Sequence, residues 1–411
     1  MPDVTALNVL LHNQVIGTLT LLSGGRILFD FSQNYIDNPD RPTLSLSFKD
    51  QVGELMTDIR PTKTRLPPFF SNLLPEGSMR DYLAKRAGVN ANREFFLLWV
   101  LGRDLPGGIT VEPAGDGAWP PHGHEDNEAD QDDTEKPLRF SLAGVQLKFS
   151  AVMETTGGLT IPAEGVGGSW IVKLPSMKFE DVPENEFAMM TLARMIGMDV
   201  PDVELVEVGA IADLPEGIGR LKGAALAIKR FDRTNDGGMI HMEDFAQVFR
   251  IYPERKYGRA SYRNIAEVIW AENGKEGIKE FIRRLIFSAL IGNADMHLKN
   301  WSLIYPDRRQ AVLSPGYDFV STIAWIDDEK MALSFLKSKS MFDLSIDALK
   351  RFAAKARLPE NLVVHAGTET VHRFMDVWVK EKGNLPLSAH MTEVIEEHMR
   401  KIEIVRESAR A

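Results

Sequence analysis

Residues 281–300 read FIRRLIFSALIGNADMHLKN. An apolar helical pattern runs into a polar loop, and in that loop Asp295 stands five residues before Asn300. Phosphoryl transfer asks for this pair of side chains. A carboxylate orients the attacking hydroxyl and takes its proton, and a hard oxygen donor helps to hold a magnesium ion against the phosphates. Catalytic loops of protein kinases carry the same spacing. The spacing alone also describes a polar loop that closes a helix. Further along, WSLIYP (301–306) and QAVLSP (310–315) read as strands, and SPGYDFVST (314–322) follows. It puts Asp318 where a second metal-binding carboxylate belongs. Asp318-Phe319 begins like the D-F-G motif, with Val320 in place of its glycine. The alternative for Asp318 is a turn aspartate bonded to its own backbone.

Upstream, KFSAVMETTGGLTIPA (148–163) reads as a strand, a Gly-Gly turn and a strand, and IVKLP (171–175) as a short buried strand. Lys173 lies among Ile171, Val172 and Leu174, and a buried ammonium needs an anionic partner. The α- and β-phosphates of a nucleotide would supply one; an edge strand with Lys173 turned to solvent is the alternative. The helix ENEFAMMTLARMIGM (184–198) offers Glu186, or its neighbour Glu184, to pair with Lys173. VELVEVG (203–209) and GAALAIKRFDR (223–233) read as strands. LAIKRFDR (226–233) is expected to be the hinge, where backbone groups around Lys229 and Phe231 read adenine. Asp232 is equally a ribose ligand or an ion-pair partner of Arg230 or Arg233. The segment SLAGVQLK (141–148) holds one glycine and is neither a P-loop nor a G-x-G-x-x-G loop. Amides near Gly144 could bond phosphate oxygens and Lys148 could add charge; the residues alone leave this open.

The rest of the chain bounds the reading. It has 411 residues, 44% hydrophobic, enough for two or three lobes. A net charge of −10 disfavours strong nucleic-acid binding by this chain alone. With no cysteine there is no disulfide, thiolate nucleophile or Cys-based zinc site. No signal peptide or membrane span is apparent, so a cytoplasmic protein is expected. Val4–Leu22 alternates like a hairpin and Ile27–Phe31 like a strand. Helices are expected at about Ser78–Arg86 and Glu94–Leu101, then the strand GITVEP (108–113). Residues 114–137 include EDNEADQDDTE, a composition that cannot bury a core. His122 and His124 in that stretch read as solvated loop residues rather than a metal site. From about Ile278 the chain reads as mostly helical, with several helices between Leu344 and Arg406.

These residues together resemble the HipA family of serine/threonine kinase toxins. The resemblance is carried in order by LPPFFSNLLPEG, GRDLPGGITV, SLAGVQLK, IVKLP, NEF, LAIKRFDR, EDFAQ, IGNADMHLKN and SPGYDF, and covers most of the chain. It implies an α+β fold: a two-lobed protein-kinase-like core, an extra N-terminal α+β subdomain and a mainly helical C-terminal lobe. The expected division is 1–113, a linker at 114–137, an N-lobe at 138–235 and a C-lobe at 236–411. It implies ATP and magnesium as cofactors, Asp295 as catalytic base, and Asn300 and Asp318 as metal ligands. Lys173 would contact the nucleotide phosphates, under the loop that starts at Ser141. Ser141 matches a serine that family members autophosphorylate, which ejects the loop and silences the kinase. His297 and Lys299 would take positioning or phosphate-contacting roles, or structural ones. Implied partners are a small helix-turn-helix antitoxin, operator DNA mainly through it, and a protein target such as an aminoacyl-tRNA synthetase. Phosphorylating that target would arrest growth and favour persistence. Lys229 departs from a glutamate common in the family's hinge, and Gly316 from a bulkier residue. A co-repressor module that only holds the antitoxin, or a small-molecule kinase, are the competing readings.

Overall fold

The computed structural model describes residues 4–115, 147–153, 159–161, 167–176, 178–214, 221–326 and 330–409. The chain opens with β1 (Ala6–Leu11), β2 (Gln14–Leu22) and β3 (Arg26–Phe31). Leu7, Val9 and Leu11 alternate inward, as one face of a half-buried strand must. The β1–β2 loop is His12-Asn13, both at positive φ, the geometry that two-residue hairpin loops use. Then follow α1 (Gln33–Asp37), β4 (Thr62–Lys63), α2 (Pro68–Ser71), α3 (Gly77–Arg86), α4 (Glu94–Leu101) and β5 (Ile109–Pro113). The sheet runs in the order β4-β3-β2-β1-β5. Its core is rich in phenylalanine: Phe29, Phe31, Phe48, Phe69 and Phe70 interlock at 4.8–5.8 Å between ring centres. Within LPPFFS, Pro68–Ser71 form the short α2 because Pro68 fits the first helical turn.

The second unit contains β6 (Lys148–Met153), β7 (Leu159–Thr160), β8 (Trp170–Lys173), α5 (Val182–Met195), β9 (Val203–Glu207), β10 (Ile211–Ala212) and β11 (Ala224–Lys229). The strand order is β10-β7-β6-β8-β11-β9, which makes β8 an interior strand. The inner face of α5, from Ala188 to Ile196, joins the core of the third unit.

That unit starts with β12 (His241–Asp244), α6 (Phe245–Val248) and α7 (Tyr262–Leu290). Then come β13 (Ser302–Tyr305), β14 (Val312–Leu313), β15 (Lys330–Phe335), β16 (Ser338–Ser340), α8 (Ile346–Ala356), α9 (Glu360–Glu381), α10 (Ala389–Lys401) and α11 (Glu403–Ser408). Helix α7 begins well before Ile278, where the periodicity becomes clear. Gly274 breaks its regular dihedrals (φ 56°, ψ −141°) and divides the apolar stripe. Phe281, Leu285 and Ile286 of α7 are fully buried, and α8 and α9 pack around it. The molecule is thus an α+β fold with a two-lobed kinase-like core and an added N-terminal unit. Among the described residues no helix is long and apolar enough to cross a membrane.

Candidate active site

Lys173 ends the interior strand β8 and is 5% exposed, so the edge-strand alternative is overturned. Its Nζ donates to Glu186 Oε1 at 2.5 Å and also to Asp318 Oδ1. Glu186, not Glu184, is therefore the helix α5 partner. Burial opposes the lysine's charge, but Asp318 and Glu186 outweigh it and hold its pKa above the ordinary range. Burial likewise acts against the Asp318 carboxylate, yet Lys173 and then Lys148 hold its pKa far below normal. Glu186 moves the other way, raised by burial despite Lys173. Lys148 faces Lys173 across β6 and β8, so both stems leave the same side of the sheet. Asp318 attracts the Lys148 ammonium, while Lys173 repels it; the net pKa is lowered.

Asp318 sits at φ 61°, a left-handed conformation that aspartate tolerates better than most residues. The turn is fixed from three sides. Phe319 packs edge-on against Phe287 at 5.1 Å. Asn185 of α5 exchanges two hydrogen bonds with the Ser321 backbone, at 2.9 and 3.0 Å. A Cβ on Gly316 would stand 2.8 Å from the Phe319 ring and 3.3 Å from Arg284 Nε, which accounts for glycine there.

The loop after α7 carries Asp295, whose side chain is half exposed. Its backbone N–H donates to Asn293 Oδ1 at 2.9 Å, and its carbonyl accepts from Asn300 Nδ2 at 2.8 Å. The second bond uses the amide nitrogen of Asn300 and leaves its Oδ1 as the acceptor end. Tyr257, which no sequence pattern singles out, donates its hydroxyl to Asp295 Oδ1 at 2.5 Å. Burial raises the Asp295 pKa, with Tyr257 opposing. His297 is buried, with Nε2 3.9 Å from Asp295 Oδ1. Desolvation foremost, then Lys256, lowers its pKa to about 3, so it is neutral at pH 7. Its Nδ1 is buried without a hydrogen-bond partner.

For two residues with alternative roles the structure favours the ion-paired one. Asp232 is not available to a ribose. Arg230 Nε and Nη2, Arg233 Nη1 and the Gly107 N–H all donate to it at 2.8–2.9 Å, and Asp104 completes a buried four-ion network. Lys299 does not face a phosphate site. Its ammonium bonds Glu76 Oε1 at 2.9 Å and the Asn72 carbonyl at 3.0 Å, both in the N-terminal unit. In the expected hinge segment, the N–H groups of Lys229 and Arg230 are already bonded to the Asp202 and Ser169 carbonyls. Phe231 leans on Tyr317 at 5.6 Å, and Tyr317 donates to the Lys299 carbonyl, so the segment after β11 and the loop after α7 are linked. Ser141, Gly144 and His122 and His124 lie outside the described residues.

The site thus gathers Lys173, Glu186, Asp318 and Lys148, and the charges of Asp318 and Lys148 reach Asp295. A carboxylate that keeps 22% exposure and an amide oxygen are hard donors of the kind magnesium prefers. The donor set fits that ion.

Comparison with known proteins points the same way. Residues 140–378 match the family model described as HipA-like C-terminal domain, and residues 7–112 the HipA N-terminal domain. Y4dM of Sinorhizobium fredii, a kinase by name, is 56% identical over 414 residues and the match spans all of both chains. A serine/threonine-protein kinase toxin HipA of Shewanella oneidensis is 28% identical over 346 residues, 76% of each chain. A solved complex of Shewanella oneidensis HipA, HipB and operator DNA contains a chain of the same fold. The TM-score is 0.73 at 23% identity, covering 98% of this chain and 97% of that one.

Proposed function

The chain belongs to the HipA family of kinase-fold proteins, and on that footing we propose that it is an ATP-dependent serine/threonine protein kinase acting as the toxin of a toxin–antitoxin pair. The observation that carries the reading is the Lys173 ammonium held between Glu186 and Asp318, beside the loop that bears Asp295 and Asn300. Asp295 orients the acceptor hydroxyl and takes its proton. Its half-exposed carboxylate can meet a protein substrate, and its Tyr257 bond fixes the rotamer. Lys173 neutralises nucleotide phosphate charge, with Lys148 beside it. Asn300 Oδ1 and Asp318 would hold magnesium, which supplies charge neutralisation at the phosphates. Neutral His297 packs beneath Asp295.

The reading extends to control. Ser141 is the self-modification site, and a phosphate there adds roughly −1.5 to −2 charges to its loop. A small helix-turn-helix antitoxin restrains the toxin and supplies most of the operator contact, in keeping with a net charge of −10. The target is a translation component such as an aminoacyl-tRNA synthetase.

The test is labelled ATP with magnesium, given to wild type, Asp295→Ala and Ser141→Ala. Label on the wild type, absent from Asp295→Ala and strongly reduced on Ser141→Ala, is the expected result. A wild type that binds nucleotide yet never labels itself or any lysate protein would count against the kinase reading.

A further inference from the structure

Lys299 sits next to Asn300, and Lys256 sits next to Tyr257, the residue that grips Asp295. Both ammonium groups converge on one carboxylate from the N-terminal unit. Glu76 Oε1 takes Lys299 at 2.9 Å and Glu76 Oε2 takes Lys256 at 3.0 Å. The two lysine segments also bond directly, Leu298 N–H to the Lys256 carbonyl at 3.3 Å. All three charged side chains are largely shielded, at 16–29% exposure. Such pairs are less screened than surface ones. Burial opposes ionisation of Glu76, but Lys299 and Lys256 prevail and bring its pKa down to about 2. Glu76 itself is fixed at the start of α3, behind Pro75, and Asn72 of the same segment adds its carbonyl to Lys299. Asn72 Nδ2 in turn donates to the Ile251 carbonyl at 2.8 Å, tying that segment to the C-terminal lobe.

We propose that Glu76 is a positioning residue for phosphoryl transfer: one carboxylate of the N-terminal unit fixes both the Asp295–Asn300 loop and the Tyr257 turn that orients Asp295. The proposal rests on the kinase reading for its catalytic consequence, but its geometry stands apart from it. Glu76 touches neither nucleotide nor acceptor. It acts by holding Lys299 and Lys256, so that Asn300 and Tyr257 keep their places. The N-terminal unit is then part of the catalytic apparatus, and a partner that shifted it would throttle the kinase without entering the cleft.

The experiment uses the full chain, with ATP and magnesium as the probe and self-labelling at saturating and graded ATP as the rate. Hydrogen exchange of residues 293–301 is followed in parallel. Glu76→Ala is expected to lower the maximal rate roughly 10- to 100-fold, as displacement of a catalytic group by about an ångström does. The ATP concentration for half-maximal rate should stay within about twofold, because the loss falls on the chemical step. Exchange at 293–301 should rise. Glu76→Asp, still anionic but shorter, should restore part of the rate. Ser45→Ala removes a hydroxyl that donates to Glu243 at 2.5 Å across the same two units, remote from the loop. It should lower thermal stability and leave the maximal rate near wild type. Unchanged exchange in Glu76→Ala overturns the proposal whatever the labelling shows, and so does a rate loss that Ser45→Ala reproduces. Absence of labelling in wild type, with faster exchange in Glu76→Ala, defeats the kinase reading and leaves the clamp intact.

Discussion

Two of the buried charge clusters among the described residues differ in how fully their carboxylates are satisfied. In the Arg230–Asp232–Arg233–Asp104 network, two guanidinium groups face two carboxylates, and Asp232 accepts four hydrogen bonds. All four side chains are at most 11% exposed. In the Lys173 cluster one ammonium sits between two carboxylates, and Asp318 keeps 22% exposure. The first network is neutral and saturated, so it has nothing to offer a ligand; it welds the N-terminal unit to the hinge. The second, with Lys148 beside Lys173, is also balanced in charge, but its Asp318 carboxylate keeps exposure and open acceptor positions, the condition in which a cation is welcome. Counting donors and exposure thus separates a weld from an open site, although both contain residues that the sequence marks as candidates.

The sharpest way to break this distinction is to remove one aspartate from each cluster. Asp318→Ala should cost at least about 10³-fold in phosphate transfer, since a metal-binding carboxylate acts directly on the transition state. Its melting temperature should change little, because Lys173 keeps Glu186. Asp232→Ala should do the reverse. It leaves two buried guanidinium groups to share Asp104, and breaking such a buried network costs about 3–5 kcal/mol. Denaturant unfolding and ATP titration of both variants decide it. An Asp232→Ala protein that is as stable as wild type but binds ATP poorly would restore the ribose role to Asp232.

The same contrast explains what could be read before any coordinates. Lys173, Asp295, Asn300 and Asp318 are marked by local pattern: a lysine inside an apolar strand, a fixed spacing after an apolar helix, a D-F start after two strands. Patterns of that kind are short-range. Asp232 takes the local ion pair with Arg230 and Arg233 that is one of the two readings its sequence allows, but the contacts that complete its site, and those of Lys299, lie far away in sequence. Gly107 is 125 positions from Asp232, and Asn72 is 227 from Lys299. No spacing rule reaches across such intervals. Tyr257 and Glu76 were illegible for the same reason, since Asp295 lies 38 positions from Tyr257 and the lysines that Glu76 holds come from another unit. The early start of α7 was hidden differently, by a glycine that interrupts its apolar stripe.

A gentler test sharpens the comparison at the docking face between the N-terminal unit and the C-terminal lobe. Glu76 has two cations; Glu243, fully buried on β12, has none among the described residues. It is met instead by the Leu46 N–H at 2.9 Å and by the hydroxyl groups of Ser45 and Tyr305. Burial, partly offset by Ser45 and Tyr305, raises its pKa to about 7. A carboxyl whose folded pKa lies above its unfolded value of 4.5 binds more protons folded than unfolded. Its contribution is complete below about pH 4.5 and is lost as pH rises through about 7. Glu76, depressed to about 2, contributes above pH 4.5 and loses that contribution as pH falls through about 2. Thermal melts across pH should therefore show wild type losing a few degrees, about 1 kcal/mol or more, between pH 4.5 and 7 relative to Glu243→Gln, which cannot ionise. Glu76→Gln should instead flatten the loss on the acid side. Parallel curves for wild type and Glu243→Gln would mean that the Ser45 and Tyr305 hydroxyls stabilise the Glu243 anion at least as much as burial opposes it, and that a cation is not what separates the two carboxylates.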